Sequence, residues 1–96
     1  MDIQFVNKGT KGVFKAEDQN FIAGALTYSQ AGTDKIILDH TEIDPSYKGK
    51  GVGKKLVLAA VEYARANKLK VLPLCPFSKS VFDKTPDIRD VLFNRA

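Results

Sequence analysis

The 96-residue sequence has one cysteine, one histidine and no tryptophan. A single cysteine excludes an internal disulfide, so the fold stands on its core, as suits a reducing cytoplasm. One Cys and one His also exclude the usual zinc sets of about four Cys or His ligands, and no metal is expected. No apolar run approaches the roughly 20 residues that span a bilayer. The start, Met1-Asp2-Ile3-Gln4, has neither the basic nor the apolar region of a signal peptide. There is no internal repeat and no low-complexity stretch. A chain this short reads as one domain over residues 1–96. The expectation is a cytoplasmic protein with no membrane role, monomeric or weakly dimeric.

Hydrophobic residues make up 44% of the chain, which suits a globular core. The net charge of +4 is unevenly spread. Residues 1–47 carry four basic and seven acidic side chains, whereas residues 48–70 carry seven basic and one acidic. A net +6 in 23 residues points to an anionic partner. Nucleic acid fits poorly, because only Tyr47 and Tyr63 lie near these lysines and Tyr63 falls on an apolar stripe.

Alternation and turn residues predict strands over Ile3–Asn7, Val13–Glu17, Phe21–Ser29 and Lys35–Ile43. In the last of these, alternation puts Ile36, Leu38, His40 and Glu42 on one face. It puts Ile37, Asp39, Thr41 and Ile43 on the other. Val52, Leu56, Ala59, Ala60 and Tyr63 recur at helical spacing, so residues 51–67 read as a helix. Val71–Cys75 reads as a short buried strand, with Ser78–Lys84 and Asp87–Phe93 as short segments after it. The fold class is α+β: antiparallel hairpin strands leading into a β-α-β unit with two parallel strands.

Between strand and helix runs Tyr47-Lys48-Gly49-Lys50-Gly51-Val52-Gly53. Three glycines expose backbone N–H groups at a helix N-terminus, which suits phosphate oxygens. Lys48, Lys50, Lys54 and Lys55 surround them. The Walker A pattern fails here, since Lys48 and Lys55 stand where Gly and Ser or Thr are required. The dinucleotide pattern fails at Lys54. Tight packing at a strand-to-helix turn would account for the glycines equally, but not for the lysines.

This loop resembles the [Q/R]-x-x-G-x-[G/A] acetyl-coenzyme A loop of the GCN5-related N-acetyltransferases, with Lys48 in the first position and Gly51 and Gly53 in register. The string Leu38-Asp39-His40-Thr41-Glu42-Ile43, the loop, and Val71-Leu72-Pro73-Leu74-Cys75-Pro76-Phe77 occur in the order of a compact branch of that superfamily. The resemblance covers about Phe21 to Leu92. It implies a minimal core with two splayed parallel strands, and acetyl-CoA as acetyl donor to an amine acceptor, either a small molecule or a protein amine. It further implies that Lys48, Gly49, Lys50, Gly51, Val52, Gly53 and Lys54 hold the pyrophosphate. A β-bulge near residues 41–43 would free the backbone of Thr41, Glu42 and Ile43 to pair with pantetheine. Ser78 and Lys79 stand where the family contacts cofactor; Lys79 reads equally well as a solvated surface lysine.

Cys75 by itself reads either as a small buried hydrophobe or as a nucleophile. The resemblance places it where the acetyl group points, and so implies either an acetyl-cysteine route or the direct transfer usual in the superfamily. His40 reads as a general base, for Cys75 or for an incoming amine, or as a histidine with a satisfied hydrogen bond, and Glu42 as a group that orients the ring or holds a proton. One departure stands out. Many superfamily members carry a Tyr acid on the helix after the last core strand, where this chain has Phe77 and Phe82. That leaves a non-catalytic CoA-binding module as the alternative.

Overall fold

Tight turns fold the first half of the chain into an antiparallel meander. β1 (Asp2–Lys8) and β2 (Lys11–Asp18) pair around Gly9-Thr10. β2 and β3 (Phe21–Ala31) pair around Gln19 and Asn20, both at positive φ (49° and 70°). Two such residues give the primed turn that matches strand twist. β3 pairs with β4 (Lys35–Ile43), and the sheet order β1-β2-β3-β4-β5 follows the chain. The structure is a computed structural model that describes residues 1–93.

Helix α1 (Val52–Asn67) carries the chain from β4 to β5 (Lys70–Pro73), which runs parallel to Lys35–Leu38. This is the β-α-β unit expected from the periodicity. Leu56, Val57, Ala60, Val61 and Ala64 are buried beneath α1, each larger side chain contributing about 1.5–3 kcal/mol by leaving water. They meet Phe14, Leu26, Tyr28, Ile36, Leu38 and Val71 of the sheet in one core. Tyr63 of α1 packs on Phe5 with ring centroids 4.7 Å apart, and closes an aromatic group with Phe14 and Tyr28. Lys68, at φ 56°, ends the helix, its N–H reaching the carbonyls of Ala64 and Arg65.

Three local readings differ from expectation. β5 stops at Pro73 rather than Cys75. Pro73 has no N–H to extend the ladder, and the N–H groups of Leu74 and Cys75 both turn to the Leu38 carbonyl (3.2 and 3.1 Å). Helix α2 therefore begins early, at Pro76–Lys84, with proline in the first turn and Cys75 as its N-cap. The last expected segment is a 3-10 helix over Pro86–Val91. Beyond it, the Phe93 N–H donates to Val71 O (2.8 Å).

A fourth difference decides the site. The pairing runs Tyr28↔Leu38 and then Thr27↔His40, so Asp39 is an extra residue in β4. Its carboxylate accepts from the Ser29 hydroxyl. A one-residue bulge reverses every later side chain. Thr41 and Ile43 then follow Leu38 toward the core, half-buried, while His40 and Glu42 are exposed on the opposite face. The simple alternation, which put His40 and Glu42 with Ile36 and Leu38, ends at Asp39. The bulge falls two residues earlier than the one expected at 41–43.

Among the described residues, no helix is long and apolar enough to cross a membrane.

Candidate functional site

β4 and β5 pair only as far as Leu38↔Pro73. β5 ends there while β4 runs on to Ile43, and a cleft of about 490 Å³ opens between the end of β4, the N-terminus of α1 and one face of α2. Asp44 starts the connection to α1. Its carboxylate accepts from the Ser46 N–H (2.9 Å) and the Ser46 hydroxyl, bonds that hold it below the usual carboxylate range. A single 3-10 turn, Pro45–Tyr47, follows. Gly49 and Gly51 then take φ of +77° and +76°, a region L side chains reach only at a cost of roughly 1–2 kcal/mol. Gly51 is the N-cap of α1.

The first turn of α1 carries Lys54 and Lys55 and no acidic residue. A helix N-terminus is the positive end of the macrodipole and favours acids. Two lysines there, with Lys48 beside them, make a concentrated positive site that an anion would relieve. Among the described residues that line the cleft, Lys48, Lys54 and Lys84 are charged and none is acidic.

Gly53 meets a different constraint. A Cβ at Gly53 would run into the Phe77 ring, so glycine lets this ring lie against the first turn of α1. Phe77 lines the cleft and remains 42% exposed.

Cys75 caps α2 and is 7% exposed. Burial pushes its thiol pKa up. The hydrogen bond from the Thr41 hydroxyl (3.3 Å), with the backbone N–H groups of Ser78 and Phe77, outweighs burial and leaves the thiol below its ordinary value. Donors that favour the thiolate lower a cysteine pKa, as does a helix N-terminus. The Ser78 hydroxyl is buried and donates to the Cys75 carbonyl (2.9 Å).

Of the residues singled out from sequence, Ile43, Lys48, Gly49, Gly51, Val52, Gly53 and Lys54 line the cleft. Thr41 touches the thiol through its side chain rather than offering only backbone. Lys50 points elsewhere: its ammonium lies over the Tyr47 ring, 5.5 Å from the centroid. Lys79 is exposed and outside the lining. His40 and Glu42 pair with each other at 3.2 Å, exposed, on the face of β4 away from Thr41. The expectation that His40 serves Cys75 as a base thus has no geometric support; the bulge puts Thr41 there instead.

Sequence reasoning missed Tyr47, Phe77, Ser80, Val81, Lys84 and Thr85 in the lining. Phe77, Val81 and Lys84 recur at spacings of four and three, so helical periodicity across α2 was the available signal.

A second cavity, of about 310 Å³, lies across Ile43. Glu42 and Asp44 line it, with Ile22 and Ala25, and no basic residue does. Among the described residues there is no group of three Cys, His, Asp or Glu side chains fit to hold a metal.

The family model of the GCN5-related N-acetyl-transferases matches residues 13–91. The solution structure of a GCN5-like candidate N-acetyltransferase from Staphylococcus aureus superposes with a TM-score of 0.71 at 32% identity. That match covers 97% of this chain and 90% of the other. A streptothricin acetyltransferase candidate from Bacillus anthracis, solved with acetyl coenzyme A, gives a TM-score of 0.61 at 22% identity, over 71% of this chain and 40% of that one. An aminoglycoside N-acetyltransferase in complex with CoA gives 0.65 at 16% identity, over 99% and 98%. The last two likenesses show the fold alone. No curated protein matches the chain.

Proposed function

The chain belongs to the GCN5-related N-acetyltransferase family, and from that membership we propose that it binds acetyl-CoA in the cleft between α1 and α2 and transfers the acetyl group to an amine. The observation that carries this reading is the unopposed charge around the cleft: Lys48 and Lys54 at the start of α1 and Lys84 at the end of α2, with no acidic lining. The coenzyme is strongly anionic, and its phosphates suit the N–H groups of residues 51–54. Its pantetheine is a peptide-like arm. The edge of β4 beyond Leu38, unpaired with β5, offers it backbone partners at Thr41–Ile43.

In the covalent route the Cys75 thiolate, favoured by Thr41 and the start of α2 and buried just outside the cleft lining, attacks the thioester carbonyl. The new S–C bond forms as CoA leaves as a thiolate. The amine then attacks the acetyl-cysteine; the N–C bond forms, the S–C bond breaks, and the amine proton passes to solvent or to a nearby base. The acceptor is cationic when protonated. The cavity across Ile43, with Glu42 and Asp44 and no basic lining, favours a small primary amine or a protein amine there.

One observation favours a second reading, binding without turnover: Phe77 and Phe82 occupy α2, where many relatives carry a tyrosine acid. Intact-mass spectrometry after mixing with acetyl-CoA separates the readings. One acetyl group on wild type, absent in Cys75→Ala, supports the covalent route. Acetylation of added amines by Cys75→Ala supports direct transfer. Thermal stabilisation without any transfer leaves the binding module, and no stabilisation at all overturns both.

A further inference from the structure

Tyr47 is held from three sides. Its ring stacks on Phe21, with centroids 5.9 Å apart and planes 19° from parallel. The Lys50 ammonium covers the ring at 5.5 Å. Its hydroxyl donates to the Asp18 carboxylate at 2.7 Å, a bond that raises the phenol pKa. Asp18 and Phe21 are register partners that close the Gln19-Asn20 turn. Both sides of one hairpin tip therefore grip one residue of a distant loop.

Neither Asp18 nor Phe21 lines the cleft. Phe21 is 48% exposed, at a hairpin tip where a polar residue would be the ordinary choice. Tyr47 ends the 3-10 turn and opens the glycine loop, and its carbonyl accepts from the Lys50 N–H at 3.2 Å. The loop beyond it is exposed. A Cβ at Gly49 or at Gly51 would meet no atom within 4 Å. α1 fixes the far end of the loop, and Tyr47 with its hairpin contacts fixes the near end.

We propose that the β2–β3 hairpin tip is a brace for the anion loop, with Tyr47 as the positioning residue that keeps residues 48–53 in ligand-ready shape. This rests on the reading that the loop receives the phosphates of CoA. A loop ordered before binding loses less freedom when the ligand arrives, so the brace acts on affinity without touching the ligand through the hairpin.

The test is calorimetric titration with CoA, together with amide hydrogen exchange and thermal unfolding of the ligand-free chain. Tyr47→Phe removes one hydroxyl and keeps the stack. It should weaken CoA binding about fivefold, the size of one ordinary hydrogen bond. Exchange should quicken at Lys48 and Lys50, whose N–H groups donate to the Pro45 and Tyr47 carbonyls, with the strands unchanged. Asp18→Ala should match it, and the double variant should be no worse than either single one. Asp18→Asn should recover most of the affinity, because its amide oxygen still accepts the phenol proton. Wild-type affinity in Tyr47→Phe and Asp18→Ala overturns the brace. So does quickened exchange throughout the sheet with unchanged affinity, which marks a purely structural contact. Failure of the wild type to bind CoA overturns the reading of the cleft, and the brace with it.

Discussion

The hydroxyl of Thr41 lies 3.3 Å from the thiol of Cys75, just past the last pairing of β4 with β5. The contact exists because Asp39 is an extra residue in β4 and turns the Thr41 side chain inward. Thr41 supports the thiolate against burial, which pushes the thiol pKa up. Thr41→Val keeps the shape and removes the donor, so the pKa should rise. The alkylation rate of Cys75 by iodoacetamide should then reach its half-maximum at higher pH than in wild type, and be several-fold slower near neutrality. His40→Ala should leave that profile in place, since His40 faces the other way. A shift in His40→Ala but not in Thr41→Val would contradict the geometry.

Gly53 and Phe77 make a second testable pair. Gly53→Ala forces the Phe77 ring off the first turn of α1; the ring is 42% exposed and free to swing, so the cost should sit at the low end of overpacking, about 1 kcal/mol. Phe77→Ala should relieve the clash, so the double variant should be more stable than the two single effects add to. Gly51→Ala differs in cause. Its surroundings are open, and the roughly 1–2 kcal/mol comes from its backbone at φ +76° alone, so Phe77→Ala should not rescue it. Denaturant unfolding of the variants checks both.

Much of this architecture is legible in the residues. Asp18-Gln19-Asn20, the glycine loop and the Val52-Leu56-Ala60 stripe each announce a local geometry that tertiary packing leaves intact. The family and the cleft loop followed from the same strings. What was not legible is the bulge: Lys35–Ile43 alternates through Asp39 without a break, and only the register against β3 reveals the extra residue. That one residue reassigned His40, Glu42 and Thr41 together. Lys50 and Lys84 exchanged roles for another reason. A lysine next to a glycine loop looks like a ligand group, but Tyr47 claims Lys50, while Lys84 arrives from a helix whose start Pro76 sets.

The Arg65–Asp90 pair ties α1 to the last 3-10 helix, with the guanidinium donating at 3.1 and 2.7 Å. Arg65 holds the Asp90 carboxyl below the usual carboxylate range. The folded value lies below the unfolded one, so the pair's stabilisation is present above about pH 4 and is lost as pH falls through the folded value. Asp90→Asn should therefore melt below wild type near neutral pH, and the gap should close on acidification. A gap that persists in acid would assign the effect to packing.

The last prediction separates charge from position in the cleft. Lys84 lines it and Lys79, on the same helix, does not, although both are exposed and carry the same charge. If CoA binds there through its phosphates, Lys84→Ala should lower affinity roughly two- to fivefold at low salt, the range of one exposed ion pair. The loss should shrink as salt screens the interaction, so the variant's affinity should depend on salt less steeply than the wild type's. Lys79→Ala changes the net charge identically and should leave both affinity and salt slope close to wild type. Equal losses in the two variants would mean that the coenzyme responds to the overall field of the +6 segment rather than to a lysine at the cleft wall.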